Sequence, residues 1–150
     1  MEQRILQNYA DKLKKNIPGF ISVTVISVAD GSTLAYSSHE TFTENQLAAT
    51  FQLEVIREVE RGFEFVDSIE RKKIDHAIIM VENQIQLVFM MVNRYFLSHI
   101  LVDATKSNLA LTRKFHDDFH QQAMQELIDA LGGEAAASLH PLFSEMEYLD

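Results

Sequence analysis

Between Ile74 and Asn108 the chain reads IDHAIIMVENQIQLVFMMVNRYFLSHILVDATKSN, and no other stretch constrains the fold as tightly. Its apolar runs, rich in Ile, Val, Phe and Met, are broken by Glu82-Asn83-Gln84 and by Asn93-Arg94, both turn-forming clusters. The pattern predicts three consecutive strands, a β-meander. In the middle strand Ile85, Leu87, Phe89 and Met91 share one face and Gln86, Val88, Met90 and Val92 the other, so beyond Gln86 neither face is polar. A sheet wet on one side alternates apolar and polar residues. This strand must be covered on both sides, which calls for helices above and below the sheet.

Upstream, Ile5, Leu6, Tyr9, Ala10 and Leu13 recur at helical spacing with charge between them, and Pro18-Gly19 ends the pattern. Phe20 to Val28 is rich in β-formers, and Asp30-Gly31 turns it back into a short strand from Thr33 to Ser37. A second helix opens on Thr43 as N-cap, with Gln46 closing a capping box and Phe42 placed to staple onto Leu47. Its stripe of Leu47, Phe51, Val55 and Val59, supplemented by Ala48, Leu53 and Ile56, is wider than one buried face needs, and Gly62 reads as its C-terminal cap. Phe63 to Arg71 fits either a strand or a loop. A third helix carries Leu111, Phe115, Phe119 and Leu127 and is ended by Gly132-Gly133. The order α-β-β-α-β-β-β-α describes one α/β (α+β) domain over residues 1–131. Residues 132–150 are a tail, Ala-rich and then acidic, where a short helix broken near Pro141 is expected.

A chain of 150 residues buries about 70% of the surface its unfolded form exposes, enough for one core without staples. The 13 Lys and Arg against 22 Asp and Glu give a formal charge of -9, which disfavours nucleic acid and anionic lipid as partners. Without cysteine there is no disulfide, thiolate chemistry or Cys-based zinc site. Met1 to Arg4 leads into an amphipathic stretch with no apolar signal region, and the run from Leu87 to Val92 is too short to span a bilayer. A cytoplasmic protein without membrane insertion is the expectation.

Catalytic signals are sparse. His116-Asp117-Asp118-Phe119-His120 puts two imidazoles at i and i+4, a spacing able to hold a divalent metal. Zincins need Glu directly after the first His, and no third ligand stands nearby, so the bland reading is the solvated side of a helix whose other side holds Phe115 and Phe119. Ser37, Ser38, His39 and Glu40 hold the letters of a hydrolase but no G-x-S-x-G elbow, and the scattered glycines form no phosphate loop. His76 and His99 lie on strands among apolar neighbours, where hydrogen-bonded structural histidines are expected. Glu54, Glu58 and Glu60 read as a helix's wet side, with an acidic docking face the sharper alternative. Met80, Met90 and Met91 read as core filler. No catalytic, cofactor-binding or metal residue is assigned.

The element order, together with two motifs, resembles the roadblock family, named for a dynein light chain and built as a profilin-like sandwich. Asp30-Gly31-Ser32-Thr33-Leu34-Ala35 is similar to the family's first hairpin, and Asp103 through Asn108-Leu109-Ala110-Leu111-Thr112-Arg113 to its entry into the last helix. Ala110 replaces the usual glycine, which suggests a slightly looser approach of helix to sheet. The resemblance spans Gln3 to Phe119. It implies a five-stranded antiparallel sheet between helices on both faces, and a non-enzymatic role as a dimeric platform. Many bacterial and archaeal members work beside Ras-like small GTPases, some as activating proteins. If this chain activates one by an arginine finger, Arg94 in a predicted turn is the most exposed candidate, while reorganisation of the GTPase's own residues is equally compatible.

Two other classes compete. A PAS-like small-molecule sensor also wraps helices around a five-stranded sheet, but such domains end on the sheet, whereas a long helix follows here. A metal-dependent hydrolase would centre on His116 and His120. The leading reading makes a specific structural claim. Ala77-Ile78-Ile79-Met80-Val81 lacks the Lys, Pro or bulge that blunts a sheet edge. These residues, with Phe51, Val55, Ile56 and Val59 of the second helix, are the expected homodimer interface.

Overall fold

The computed structural model describes residues 2–39, 44–66 and 72–131. Helix α1 spans Glu2–Asn16, and Ile5, Leu6, Tyr9, Ala10 and Leu13 are all buried, as their spacing on one face requires. Gly19 follows at φ 71, where an added Cβ would stand 3.1 Å from the Asp103 carbonyl oxygen, so only glycine fits this crossing. Strands β1 (Phe20–Ser27) and β2 (Thr33–Ser38) form the hairpin. Asp30 Oδ1 caps its turn, accepting from the Ser32 N–H at 3.0 Å and the Ser32 hydroxyl at 2.7 Å. Helix α2 (Glu44–Val66) crosses to the other side of the sheet, and the meander follows as β3 (His76–Val81), β4 (Gln84–Met91) and β5 (Phe96–Asp103). Helix α3 (Leu109–Leu131) is capped by Asn108, whose Oδ1 accepts from the Leu111 N–H at 3.0 Å.

The strands pair antiparallel throughout in the order β2-β1-β5-β4-β3. Helices α1 and α3 pack on one face over Val23, Val25, Ile85, Leu87, Phe89 and Ile100, the larger core among the described residues. On the other face α2 buries Ala49, Leu53 and Ile56 against Ile26, Val88 and Leu97. Strand β4 is thus covered on both sides, as its two apolar faces demand.

Several expectations are corrected. Gly62 does not cap α2, which runs on to Val66, so the segment from Phe63 is helical as far as Val66, and its remainder, residues 67–71, lies outside the described residues. Half-buried Phe63 continues the helix's inner side, and a glycine inside a helix is tolerated at about 1 kcal/mol relative to alanine. On α3 the buried residues are Thr112, His116, Ala123, Met124 and Leu127, while Leu111 is exposed, so the helix is rotated from the expected stripe. Ala110 is exposed, and its methyl group does not separate helix from sheet. Met80 is 69% exposed and fills no core, unlike buried Met91. The Thr43-Gln46 capping box, the Phe42-Leu47 staple and residues 132–150 lie outside the described residues.

Candidate functional site

Strand β3 is an outermost strand of the sheet, and it pairs with β4 through His76↔Phe89, Ile78↔Leu87 and Met80↔Ile85 without a register shift. The Met90 N–H donates to the Asp75 carbonyl oxygen at 2.9 Å, which makes Asp75 and Met90 a hydrogen-bonded pair. Alternation along an antiparallel ladder then turns the N–H groups of Ala77, Ile79 and Val81 toward β4 and those of His76, Ile78 and Met80 outward. The two-residue turn at Glu82-Asn83, with Glu82 at φ 52, joins Val81 to Gln84 as that phase requires. The edge therefore offers a row of outward backbone groups flanked by apolar side chains. Ile78 and Met80 face the α1/α3 side at 49% and 69% exposure. Ala77, Ile79 and Val81 face the α2 side, opposite Val88, Gln86 and Gln84.

Helix α2 presents a matching flank. Gln52, Val55 and Val59 fall at i, i+3 and i+7 on one side of it. Gln52 reaches β4, donating to Gln86 Oε1 at 2.8 Å, so this flank looks toward the free edge. The opposite flank holds Arg57, which donates to the Val28 carbonyl oxygen at 2.8 Å and pairs with Glu54, while Arg61 pairs with Glu58. Phe51 on the outer surface is 70% exposed, and Val55 and Val59 are each 46% exposed. Ile56 departs from expectation: at 2% exposure it belongs to the chain's own core, because its helical phase points it at the sheet.

Arg94 is not a free arginine. Its Nη2 donates to both carboxylate oxygens of Glu60, at 2.8 and 2.9 Å, and its Nη1 to the Ile74 carbonyl oxygen at 2.7 Å. Glu60 Oε2 also accepts from the Ile74 N–H at 3.0 Å. The Glu of this pair belongs to the cluster read from sequence as a solvated side, whereas its carboxylate is only 16% exposed. A partner 34 positions away leaves no trace in local pattern.

A buried polar network was also illegible in sequence. His116, expected on a wet face, is 2% exposed and stacks on Phe89 with ring centroids 3.8 Å apart. Its Nδ1 lies 2.6 Å from the Tyr9 hydroxyl, which also meets the Ser98 hydroxyl at 2.9 Å. His120 Nε2 accepts from the Val92 N–H at 2.9 Å and the two imidazoles stack. Burial holds His116 well below the usual imidazole range and lowers His120 to about 4. Burial raises the Tyr9 phenol, which stays protonated as a donor. On the other face His99 Nε2 meets Gln86 Oε1 at 3.0 Å, and burial brings His99 to about 4. His116 and His120 thereby tie α3 to α1 and to the sheet, while His99 joins β5 to the Gln86 of β4 that Gln52 of α2 also meets. Among the described residues no group of three His, Cys, Asp or Glu is placed to hold a metal ion. His76, by contrast, is exposed and stacks on Phe89; Ser37 is buried, Ser38 donates to the Ile21 carbonyl oxygen and His39 packs on Phe20, so these three do not converge, and Glu40 lies outside the described residues. No helix among the described residues is long and apolar enough to cross a membrane.

No family model matches the sequence, and no curated protein matches it significantly. Solved structures do. Myxococcus xanthus MglB superposes with a TM-score of 0.71 at 10% identity, over 89% of this chain and 95% of that one. A Roadblock/LC7 domain from Streptomyces avermitilis gives 0.66 at 11% identity, over 81% and 97%. The fold is of the roadblock type. The gliding protein MglB from Thermus thermophilus, at 0.66 and 11% identity over 93% and 90%, and a Schizosaccharomyces pombe profilin, at 0.51 and 9% over 85% and 98%, place this roadblock sheet in its wider profilin-like setting. The long helix α3 after β5 is the feature by which the connectivity differs from a PAS sensor.

Proposed function

We propose that this chain is a homodimeric, non-enzymatic platform that regulates a Ras-like small GTPase in the cytoplasm. The observation that carries the reading is the undefended β3 edge beside an apolar α2 flank. A monomer would leave outward N–H groups at His76, Ile78 and Met80 next to Ile78 and Met80 side chains 49% and 69% exposed, an arrangement that invites pairing. Two copies meeting about a two-fold axis would join their sheets through β3, with Ala77, Ile79, Val81, Phe51, Val55 and Val59 packing around the seam. A specific interface of this kind buries about 1,600 Å². Ile56 is left out of it. The GTPase part of the reading is supported by the roadblock-type fold and by the likeness to MglB.

The test is titration of purified Ras-like GTPases, loaded with GDP or a non-hydrolysable GTP analogue, into the full-length protein by calorimetry. State-dependent binding at micromolar affinity is expected; indifference of every GTPase in both states would overturn the assignment of partner. If hydrolysis is stimulated, Arg94→Ala, assayed far above the dimer dissociation constant so that the variant remains dimeric, should leave the stimulation within a few-fold, since Glu60 and Ile74 already occupy its guanidinium. A loss on the order of a thousand-fold would show a finger after all.

A further inference from the structure

The two parts of the proposed interface come from different layers, α2 from above the sheet and β3 from its edge, and something must hold them in one relation. One ion pair touches both. Glu60 sits on α2, Arg94 in the turn between β4 and β5, and together they bind both backbone polar groups of Ile74, two residues before β3 begins: Glu60 Oε2 takes the N–H at 3.0 Å and Arg94 Nη1 the carbonyl oxygen at 2.7 Å. Both side chains are largely sheltered, at 27% and 16% exposure, so the pair is screened less than a surface bridge. With Nη2 shared between the two Glu60 oxygens and Nη1 on the Ile74 carbonyl oxygen, the planar guanidinium fixes direction as well as attraction.

The turn itself is held in an uncommon shape. Val92, Asn93 and Arg94 have φ of 46, 56 and 70, and a β-branched residue in the left-handed region persists only where its surroundings impose it. Two contacts do so from opposite faces of the sheet: His120 Nε2 receives the Val92 N–H, and Glu60 receives the Arg94 guanidinium.

We infer that Glu60, Arg94 and the Ile74 backbone form a clamp that positions strand β3 against helix α2, and so pre-sets the dimerisation surface before a second copy arrives. This rests on the dimer reading above, and preorganisation of the surface is what it adds: ordering that is already present in the monomer need not be supplied on association. Arg94 and Glu60 are positioning residues, not interface contacts.

The test is a double-mutant cycle in the full-length protein with Arg94→Met and Glu60→Gln, reading the dimer dissociation constant by sedimentation and amide exchange at Ile74, Ala77 and Ile79. Each single variant and the double should weaken the dimer by about tenfold, with no further loss in the double, since groups acting as one unit are non-additive. Exchange at Ile74 should rise in all of them, and Arg94→Lys, keeping one contact of three, should fall between wild type and Arg94→Met. Circular dichroism screens for folding, and Arg94→Lys serves if Arg94→Met fails. An unchanged dissociation constant alongside faster Ile74 exchange, or fully additive effects, overturns the inference. A monomeric wild type would defeat the dimer reading alone; the clamp is then judged on exchange at Ala77 and Ile79, where no change between wild type and Arg94→Met overturns it.

Discussion

Acidification should unfold this protein through its imidazoles before its carboxylates matter. Burial lowers His99 and His120 to about 4, and His116 moves in the same direction. In the unfolded chain each titrates near about 6.5. The depressed folded values mean that stability is fully present above about pH 6.5 and falls as pH drops toward about 4, because only the unfolded state takes up the protons. At about pH 5 an unfolded imidazole is almost fully charged and a folded one about a tenth charged, a difference of about 2 kcal/mol per ring. His99 and His120 together then remove about 4 kcal/mol, with His116 adding to it, from a total that is typically about 5–15 kcal/mol. Asp30 and Asp103, lowered by their bonds to Ser32 and Thr105, act in the same sense but only in the ordinary carboxylate range, below this window. Urea titrations at about pH 8 and about pH 5, at one protein concentration so that association does not intervene, measure the loss. Uptake of about two protons or more on unfolding at pH 5 should accompany it, and His120→Gln should remove close to one. A stability that changes by less than about 1 kcal/mol between these pH values would refute the burial argument.

Gly19→Ala should destabilise by about 2 kcal/mol or more, since alanine at φ 71 is strained and its Cβ meets the Asp103 carbonyl oxygen and Lys106 at 3.1 Å; thermal unfolding reads it. Gly62→Ala should raise stability by about 0.5–1 kcal/mol, because the site is helical and nothing lies within 4 Å of the added methyl; a lower melting temperature would show that α2 needs the glycine. Tyr9→Phe leaves His116 Nδ1 and the Ser98 hydroxyl without their shared partner and should cost about 1–3 kcal/mol in chemical denaturation, with the fold retained by circular dichroism.

What the sequence disclosed follows from the range of each interaction. The two apolar faces of β4 and the Ile5-to-Leu13 stripe are periodic signals within one element, and they place the strands, the helices and the layers correctly. The edge position of β3 came from the resemblance, and the free backbone groups followed once its register with β4 was known. Misreadings cluster where polar residues are buried by partners far along the chain. His116 and His120 count as polar in any periodicity, so Tyr9, Ser98 and the Val92 N–H, which make their burial tolerable, could not be anticipated. Arg94 and Glu60 read as exposed for the same reason. Gly62 is a local preference that the chain does not use: α2 continues through it to Val66, and a helical glycine is tolerated at a cost of about 1 kcal/mol.

The central claim is that the β3 edge is a pairing surface, and sedimentation velocity on wild type, Ile78→Pro and Ile79→Pro tests it most directly. Proline removes one N–H, which points outward at Ile78 and toward Gln86 at Ile79. The account predicts a dimeric wild type at micromolar concentration, a folded Ile78→Pro shifted toward monomer, and an Ile79→Pro that loses β3–β4 pairing and folds poorly. A wild type that sediments as a monomer, or an Ile78→Pro that is folded and as fully dimeric as wild type, would contradict it.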